Sequence, residues 1–122
     1  MATEKKTLVL GASANPSRYS YLAVKRLRSY GHPVEAIGRK EVQVADVMVH
    51  TDKPLLEGVD TVTLYLSPVH QREYYDYIIS LHPKRIIFNP GAENEELAAL
   101  AAAHNIIPQE ACTLVLLSTG QY

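Results

Sequence analysis

Hydrophobic residues along this chain alternate between short unbroken runs and segments with helical spacing. The unbroken run at residues 8–10 predicts a strand, and largely apolar short segments predict further strands at residues 33–37, 61–66, 85–88 and 106–108. Such runs are typical of strands buried on both faces of a parallel sheet. Helical spacing between them predicts helices at residues 16–30, 68–82 and 94–104. The alternation predicts an α/β fold: a doubly wound, mainly parallel sheet of five to six strands with helices on both faces, in three layers.

Capping residues predict where these elements begin and end. Asn15-Pro16 is typical of an N-cap followed by proline in the first helical turn, and Ser67-Pro68 repeats the pattern. Gly31 is placed to end the first helix. Residues 41–57 lack a helical period and predict one or two short strands, while residues 111–118 predict a short terminal helix or strand.

The helical spacing also predicts which side chains face the sheet. In the first helix these are Tyr19, Leu22, Ala23, Leu27 and Tyr30. In the second helix they are Val69, Tyr74 or Tyr75, Ile78 and Leu81.

Length and composition limit the classes of protein to which the chain can belong. We expect 122 residues to form one domain, 1–122. Twelve basic and thirteen acidic side chains argue against a nucleic-acid binder, and no apolar run approaches the roughly 20 residues that span a membrane. The first strand begins too early for a signal peptide to precede it, and Cys112, the single cysteine, allows no internal disulfide. These features predict a cytoplasmic protein.

The first strand, a small-residue turn and the following helix start form a candidate anion site at residues 7–20. Gly11 lets the backbone turn, and amide groups at a helix N-terminus attract phosphate. We therefore predict that this turn holds the phosphates of an adenine nucleotide. Its candidate ligand-binding residues are Gly11, Ala12, Ser13, Asn15, Arg18 and Ser20.

The residues that follow the second strand indicate which nucleotide the site binds. The dinucleotide fingerprint GxGxxG is incomplete, because Ser13 and Pro16 replace its second and third glycines. NAD-binding proteins place an acidic residue after the second strand, whereas this chain has Arg39 and Lys40. Two cations suit an adenosine with an extra ribose phosphate, as in NADP or coenzyme A. The alternative is a solvated pair of loop charges.

Ligands of doubly wound sheets bind beyond the carboxyl ends of the strands. We therefore add Ser67, Pro90 and Gly91, which follow two later strands, to the candidate site. His70 is the one histidine that we expect on the rim of the pocket. The five histidines show no metal-binding spacing, and no nucleophile, base and orienting residue can be named.

Two stretches resemble the single-domain CoA-binding proteins with a Rossmann-like fold. The first comprises Gly11-Ala-Ser13, Pro16, Arg18, Ser20-Tyr21 and Leu27-x-x-x-Gly31-x-x-Val34. The second is Phe88-Asn-Pro-Gly-Ala-Glu-Asn-Glu95, followed later by Cys112. The same domain type occurs in the alpha subunit of succinyl-CoA synthetase and in ADP-forming acyl-CoA synthetases. The resemblance implies coenzyme A binding, with the phosphates near residues 11–13 and Arg18.

The chain departs from that family at two places. It has Ile37-Gly38-Arg39 where the family usually ends its second strand in Val-Asn-Pro, and Leu66 where the family often has arginine. We expect no counterpart of the further domains in which the synthetases carry their phosphorylated histidine and bind ATP, so the resemblance does not imply ligase activity.

Three hypotheses follow. The first is a non-catalytic module that binds coenzyme A or an acyl-CoA as a carrier or sensor, with a homodimer or an acyl-CoA enzyme as its partner. The second is a protein that binds NADP or another adenine nucleotide. The third is an interaction scaffold without a ligand. Cys112 is either a reactive thiol, able to form a mixed disulfide with coenzyme A, or a buried small hydrophobic residue.

Overall fold

In the computed structural model, which describes residues 4–122, seven strands form one sheet in the order β3-β4-β2-β1-β5-β6-β7. The strands are β1 (Thr7–Ala12), β2 (Val34–Gly38), β3 (Val42–Val44), β4 (Val47–His50), β5 (Thr61–Leu64), β6 (Arg85–Phe88) and β7 (Ile107–Glu110). All neighbouring pairs are parallel except β3 with β4. The doubly wound α/β prediction is confirmed, with seven strands rather than five to six.

The additional strands come from residues 42–50, where β3 and β4 form an antiparallel hairpin with Val42 opposite Val49. Ala45, in the two-residue turn, has a φ of 54°, a conformation that short hairpin turns require. The pattern had predicted one or two strands here without a helix, and this is confirmed. Because β4 pairs in parallel with β2, the hairpin extends the sheet on the β2 side.

Helices cover both faces of the sheet. They are α1 (Tyr19–Ser29), α2 (Pro68–Gln71), α3 (Tyr75–Leu81), α4 (Glu95–Ala103) and α5 (Thr113–Ser118), with a single 3₁₀ turn (Arg72–Tyr74) joining α2 to α3. On one face Val24 of α1 and Leu117 of α5 pack with Val9. On the other, Ile78 of α3 and Leu97 of α4 pack with Leu8. The fold therefore has the three layers predicted.

The end of α1 matches its prediction, but its beginning does not. Gly31 has a φ of 84°, and the amides of Gly31 and His32 donate to carbonyls of the last turn, as in a Schellman motif. The predicted N-cap at Asn15 is wrong, since the helix starts four residues later. Asn15 instead closes its own turn, because its Oδ1 accepts hydrogen bonds from the amide (3.0 Å) and hydroxyl (2.8 Å) of Ser17.

The side chains that α1 buries match the prediction only at Ala23 and Leu27. The buried stripe is Ser20, Ala23, Val24 and Leu27, while Tyr19, Leu22 and Tyr30 are exposed, contrary to the prediction. In α2 the predicted inward residue Val69 is also exposed, and Gln71 is buried in its place. Ser67 and Pro68 begin α2 as predicted, and β6 occupies the predicted residues. No helix in the described part of the chain is long and apolar enough to cross a membrane.

Candidate functional site

The carboxyl ends of β1, β2, β5 and β6 surround an open cleft of about 1000 Å³. In the sheet β1 lies between β2 and β5. The chain first continues to β2 on one side of β1 and later crosses to β5 on the other side, so the strand order reverses at this point. This switch point is the usual ligand site of doubly wound sheets. All eleven residues predicted for the site line the cleft: Gly11, Ala12, Ser13, Asn15, Arg18, Ser20, Arg39, Lys40, Ser67, Pro90 and Gly91. Their contact with a ligand stays a prediction.

Gly11 brings β1 against the neighbouring strand at the floor of the cleft. Its φ is 98°, and a Cβ atom at this residue would lie 3.0 Å from the carbonyl carbon and oxygen of Tyr65. The Tyr65 amide donates to the Leu10 carbonyl at 2.9 Å, which holds the two strand ends together. A residue with a side chain would therefore need both an unfavourable backbone conformation and a displaced neighbour.

Side chains of the loop itself organise the segment between β1 and α1. The hydroxyl of Ser13 accepts a hydrogen bond from the Asn15 amide at 3.0 Å, and the Arg18 amide donates to the Asn15 carbonyl at 3.0 Å. Together with the Asn15 turn, these bonds give a preformed loop whose polar groups are exposed to the cleft. Ser13 and Asn15 therefore have a structural role, whether or not they also contact a ligand.

The N-terminus of α1 opens onto the same cleft without a capping side chain. Within residues 4–122, no side-chain hydrogen bond caps this helix at Arg18, and no acidic residue stands in its first turn. The first amides and the dipole of the helix thus favour an anion. Arg18 places a cation where it opposes the helix dipole, an unfavourable position that a bound phosphate would compensate. Ser20 is buried, at 4% exposure, in the first turn.

A second basic group stands at the end of β2. Arg39 and Lys40 are exposed on the cleft, and no ion pair found in the described part of the chain involves either of them or Arg18. Gly38, which precedes them, packs against the end of β1. The three cations thus lie on the side of the cleft formed by β1 and β2, where they can attract phosphate groups.

The opposite wall consists of the loops after β5 and β6, and Gln71 joins them. Its side chain is completely buried, and its Nε2 donates to the carbonyls of Leu66 and Ala92, each at 2.8 Å. Its Oε1 accepts from Nδ2 of Asn94 at 2.9 Å. Sequence analysis missed Gln71, because a glutamine in an exposed-looking helical turn gives no sign of partners so distant in the chain.

A buried polar network supports this wall from within the sheet. The Asn89 Nδ2 donates to Oγ1 of Thr63 at 2.7 Å and to the carbonyl of Leu64 at 2.8 Å. Its Oδ1 accepts from the Thr113 amide at 2.9 Å, and the hydroxyls of Thr63 and Thr113 are 2.8 Å apart. Asn89 therefore fixes the end of β6, directly before Pro90 and Gly91, to β5 and α5.

The chain holds further chemically distinctive side chains besides those predicted for the site. His70 lines the cleft as expected, and Glu73 and Tyr74 lie on the same side. Cys112 is half-buried at the N-cap of α5. Burial raises the pKa of Tyr65, whose hydroxyl has no hydrogen-bond partner among the described residues. In that part of the chain no group of histidine, cysteine, aspartate or glutamate side chains is arranged to hold a metal ion.

Comparison with known proteins gives independent evidence on the family and fold of the chain. A family model described as a CoA binding domain matches residues 5–118. The crystal structure of an uncharacterized protein is 50% identical to this chain, with 99% of this chain and 100% of that chain covered and a TM-score of 0.96. No curated protein matches the chain.

More distant solved structures share the fold. A hypothetical protein from Pyrococcus horikoshii OT3 is 22% identical, with a TM-score of 0.86 over 95% of this chain and 83% of that one. The dinucleotide-forming acetyl-coenzyme A synthetase 1 of Ca. Korarchaeum cryptofilum, solved with phosphate and ADP, is 19% identical, with a TM-score of 0.68. The match covers 85% of this chain but 25% of the synthetase. The Rossmann-like fold therefore occurs both in small proteins and within a much larger enzyme.

Proposed function

The chain belongs to the family of CoA-binding domains, and from this premise we propose that it binds coenzyme A or an acyl-CoA in the cleft as a non-catalytic carrier or sensor. The observation that carries the proposal is the joint placement of the uncapped α1 N-terminus and three cations, Arg18, Arg39 and Lys40, around one cleft. Coenzyme A carries a pyrophosphate and a ribose 3′-phosphate, so it needs two such anion sites.

Each part of the ligand has a matching part of the cleft. The pyrophosphate binds over Gly11, Ala12 and Ser13 at the start of α1, where amides and Arg18 face it. The 3′-phosphate binds to Arg39 and Lys40 at the end of β2. The pantetheine arm then extends across the switch point toward Ser67, Pro90 and Gly91. A cleft of about 1000 Å³ is at the upper end of the usual range for ligand sites, as an extended ligand requires.

The proposal of a binding role follows from the side chains that would meet the thioester. His70 and Glu73 are exposed on this part of the cleft, and no hydrogen bond found among residues 4–122 joins either side chain to a serine or cysteine nucleophile. A nucleophile, a base and a group that orients the base are the minimum for acyl transfer. We propose instead that the protein presents coenzyme A to an acyl-CoA enzyme, as a monomer or a homodimer.

Titration calorimetry with coenzyme A, dephospho-coenzyme A and NADP tests this function. We expect saturable binding of coenzyme A that weakens at least tenfold without its 3′-phosphate, and weaker binding of NADP. Equal affinity for coenzyme A and dephospho-coenzyme A would contradict the role of Arg39 and Lys40. Preferential binding of NADP would favour the alternative nucleotide, and no binding of any compound would favour a scaffold. Hydrolysis of an acyl-CoA by the purified protein would overturn the non-catalytic role.

A further inference from the structure

A second concavity lies on the surface between α1 and α5, and none of its lining residues also lines the cleft. Leu22 and Arg26 of α1 form one side of this α1–α5 groove, and Leu114, Val115 and Ser118 of α5 form the other. Its volume is about 290 Å³. Ligand clefts usually start at about 300 Å³ and enclose most of a small molecule. A surface groove of this size therefore suits a few side chains of a protein partner better than a second cofactor.

Helix α1 has a second apolar face besides the one that packs on the sheet. Tyr19, Leu22, Arg26 and Tyr30 follow one another at intervals of three and four residues, which places them on one side of the helix. Tyr19 is 70% exposed, Leu22 38% and Tyr30 47%, and Val115 on the other side of the groove is 54% exposed. Apolar side chains aligned along one helix face, rather than scattered singly, indicate an interaction surface.

The charge of this surface is of one sign. Neither α1 nor α5 contains an acidic residue, and the charged residues of α1 are Lys25, Arg26 and Arg28. Arg28 is paired with Asp46 at 2.8 Å. Within residues 4–122, no ion pair involves Lys25 or Arg26, and both are exposed. These two cations are therefore available to the carboxylates of a partner.

Charge and shape together favour one kind of occupant. A symmetric dimer would bring the same patch of both copies together, so Arg26 would meet a second Arg26 and neither helix would supply a carboxylate. A groove between two helices is concave, whereas a lipid surface is flat. An amphipathic helix, by contrast, inserts apolar side chains into such a groove at intervals of three and four residues and carries its charges alongside.

We propose that the α1–α5 groove docks an amphipathic helix of a partner protein, with apolar side chains between Leu22 and Val115 and carboxylates paired with Lys25 and Arg26. The inference goes beyond the proposed function, because docking in this groove does not require coenzyme A. Tyr19 connects the two sites, since it stands on the exposed apolar face of α1 and also lines the cleft. A protein docked on α1 would therefore stand beside bound coenzyme A.

Fluorescence anisotropy with two labelled peptides tests the proposal. Both are helical peptides of roughly 18 residues with leucine along one face and alanine opposite, and they carry either glutamate or lysine beside the leucines. We expect the glutamate peptide to bind with a dissociation constant below about 100 µM, and the lysine peptide to bind at least about tenfold more weakly. Equal affinity for the two peptides, or no binding of the glutamate peptide, would overturn the proposal.

A pair of matched variants locates the binding in the groove. Val115→Glu should lower the affinity for the glutamate peptide at least about tenfold. Ile107→Glu adds the same charge at an exposed apolar residue of β7, and it should keep the affinity within about twofold. Equal losses in the two variants, with both folded by circular dichroism, would show that the peptide does not bind in the groove.

A charge-reversed variant supplies a test that misfolding cannot imitate. Lys25→Glu/Arg26→Glu should bind the lysine peptide more tightly than the glutamate peptide, because the sign of the surface is reversed. This is a gain of binding, which only a folded protein shows. A variant that still prefers the glutamate peptide, or that binds neither while its circular dichroism is native, would overturn the pairing with Lys25 and Arg26.

Two measurements distinguish the other occupants. Sedimentation of the protein alone should show no self-association that Val115→Glu abolishes, and phosphatidylglycerol vesicles should bind the unaltered protein and Val115→Glu alike. A dimer lost in Val115→Glu would assign the groove to a second copy, and vesicle binding lost in it would assign the groove to a membrane; either result overturns the proposal. Coenzyme A titration is a separate measurement, so failure of peptide binding would leave the proposed function standing.

Discussion

Gly38 and Ala12 approach each other more closely than any residue with a side chain could at position 38. A Cβ atom on Gly38 would lie 2.2 Å from the Ala12 carbonyl oxygen and 3.0 Å from a methyl group of Val49. The two residues are register partners beyond an irregularity in the β1–β2 pairing, at the point where both strands reach the cleft. This contact sets the distance between the loop after β1 and the cations after β2.

Replacing Gly38 with alanine should therefore both destabilise the protein and weaken ligand binding. The new methyl group would displace backbone at the cleft floor, and we expect the free energy of unfolding to fall by about 3 kcal/mol. Because Arg39 and Lys40 would move with that backbone, affinity for coenzyme A should fall at least tenfold. Urea denaturation and calorimetric titration measure the two effects.

Gly58→Ala is the control for Gly38→Ala. Gly58 has a φ of 70°, but a Cβ atom there would meet nothing within 4 Å. The free energy of unfolding of Gly58→Ala should fall by about 1 kcal/mol through backbone strain alone, and the variant should keep its affinity for coenzyme A. Equal losses of affinity in the two variants would show that Gly38 does not position the cleft.

Removing Arg39 and Lys40, the two cations after β2, should lower the affinity only for ligands that carry a ribose phosphate. For Arg39→Ala/Lys40→Ala we expect coenzyme A affinity to fall by at least tenfold, because charge-assisted bonds to the 3′-phosphate are lost. Affinity for dephospho-coenzyme A should stay within about twofold. Calorimetry on both ligands makes the comparison.

The matched control for this variant removes two cations that do not line the cleft. Lys25 and Arg26 are exposed on α1, and Lys25→Ala/Arg26→Ala changes the net charge by the same amount. It should leave both affinities near those of the unaltered protein. A similar loss in both double variants would mean that overall charge, rather than a contact with the 3′-phosphate, attracts the ligand.

The positions of strands and helices could be predicted where short stretches of sequence determine them. Apolar runs identified the central strands, and β6 was located to the residue. Gly31 was recognised as a helix terminator because a Schellman motif requires a positive φ there. The start of α1 was misplaced because Asn15 makes an equally local Asx turn, which the same residue pair, Asn followed by Pro, also favours.

Burial was harder to predict where a polar side chain faces inward. Val69 was expected inside and Gln71 was not considered, yet the structure exposes the first and buries the second. The partners of Gln71 include the Ala92 carbonyl, 21 residues away, and such long-range pairing leaves no periodic signal. The cleft lining, by contrast, was predictable because strand ends of a parallel sheet meet at one edge.

The buried network at the end of β6 gives a further prediction. Asn89→Ala would leave the Leu64 carbonyl and the Thr113 amide without partners, and we expect a loss of about 3 kcal/mol in the free energy of unfolding. Gln43→Ala, at an exposed site, should change it by less than about 0.5 kcal/mol. Urea denaturation measures both, and a loss below about 1 kcal/mol for Asn89→Ala would contradict the structural role of the network.

His32, remote from the cleft, should make stability depend on pH. The ring is buried, its Nδ1 accepts from the Lys5 amide at 3.0 Å, and its centroid lies 5.0 Å from that of Tyr122. Burial is the main cause that lowers the pKa of His32, and the charge of Lys5 lowers it further; Glu4 and Asp60 act in the opposite direction, and Arg85 adds a smaller lowering effect. The folded state therefore favours the neutral ring.

The sign of the effect follows from that direction. Above the pKa of the unfolded chain, about 6.5, the ring is neutral in both states and contributes no pH dependence. As the pH falls below this value, the unfolded state binds the proton first, so the free energy of unfolding decreases until the folded pKa is reached. One such group gives a slope of at most about 1.4 kcal/mol per pH unit.

Urea denaturation between about pH 7.5 and pH 5 should show this loss in the unaltered protein. His32→Gln keeps an acceptor for the Lys5 amide but cannot take up the proton, so part of the pH dependence should disappear. His104→Gln, at an exposed site, is the control for loss of a histidine. The carboxylates contribute to all three proteins alike, so the difference between the unaltered chain and His32→Gln isolates the ring. An unchanged slope in His32→Gln would mean that His32 takes up its proton equally in the folded and unfolded states, contrary to its buried position.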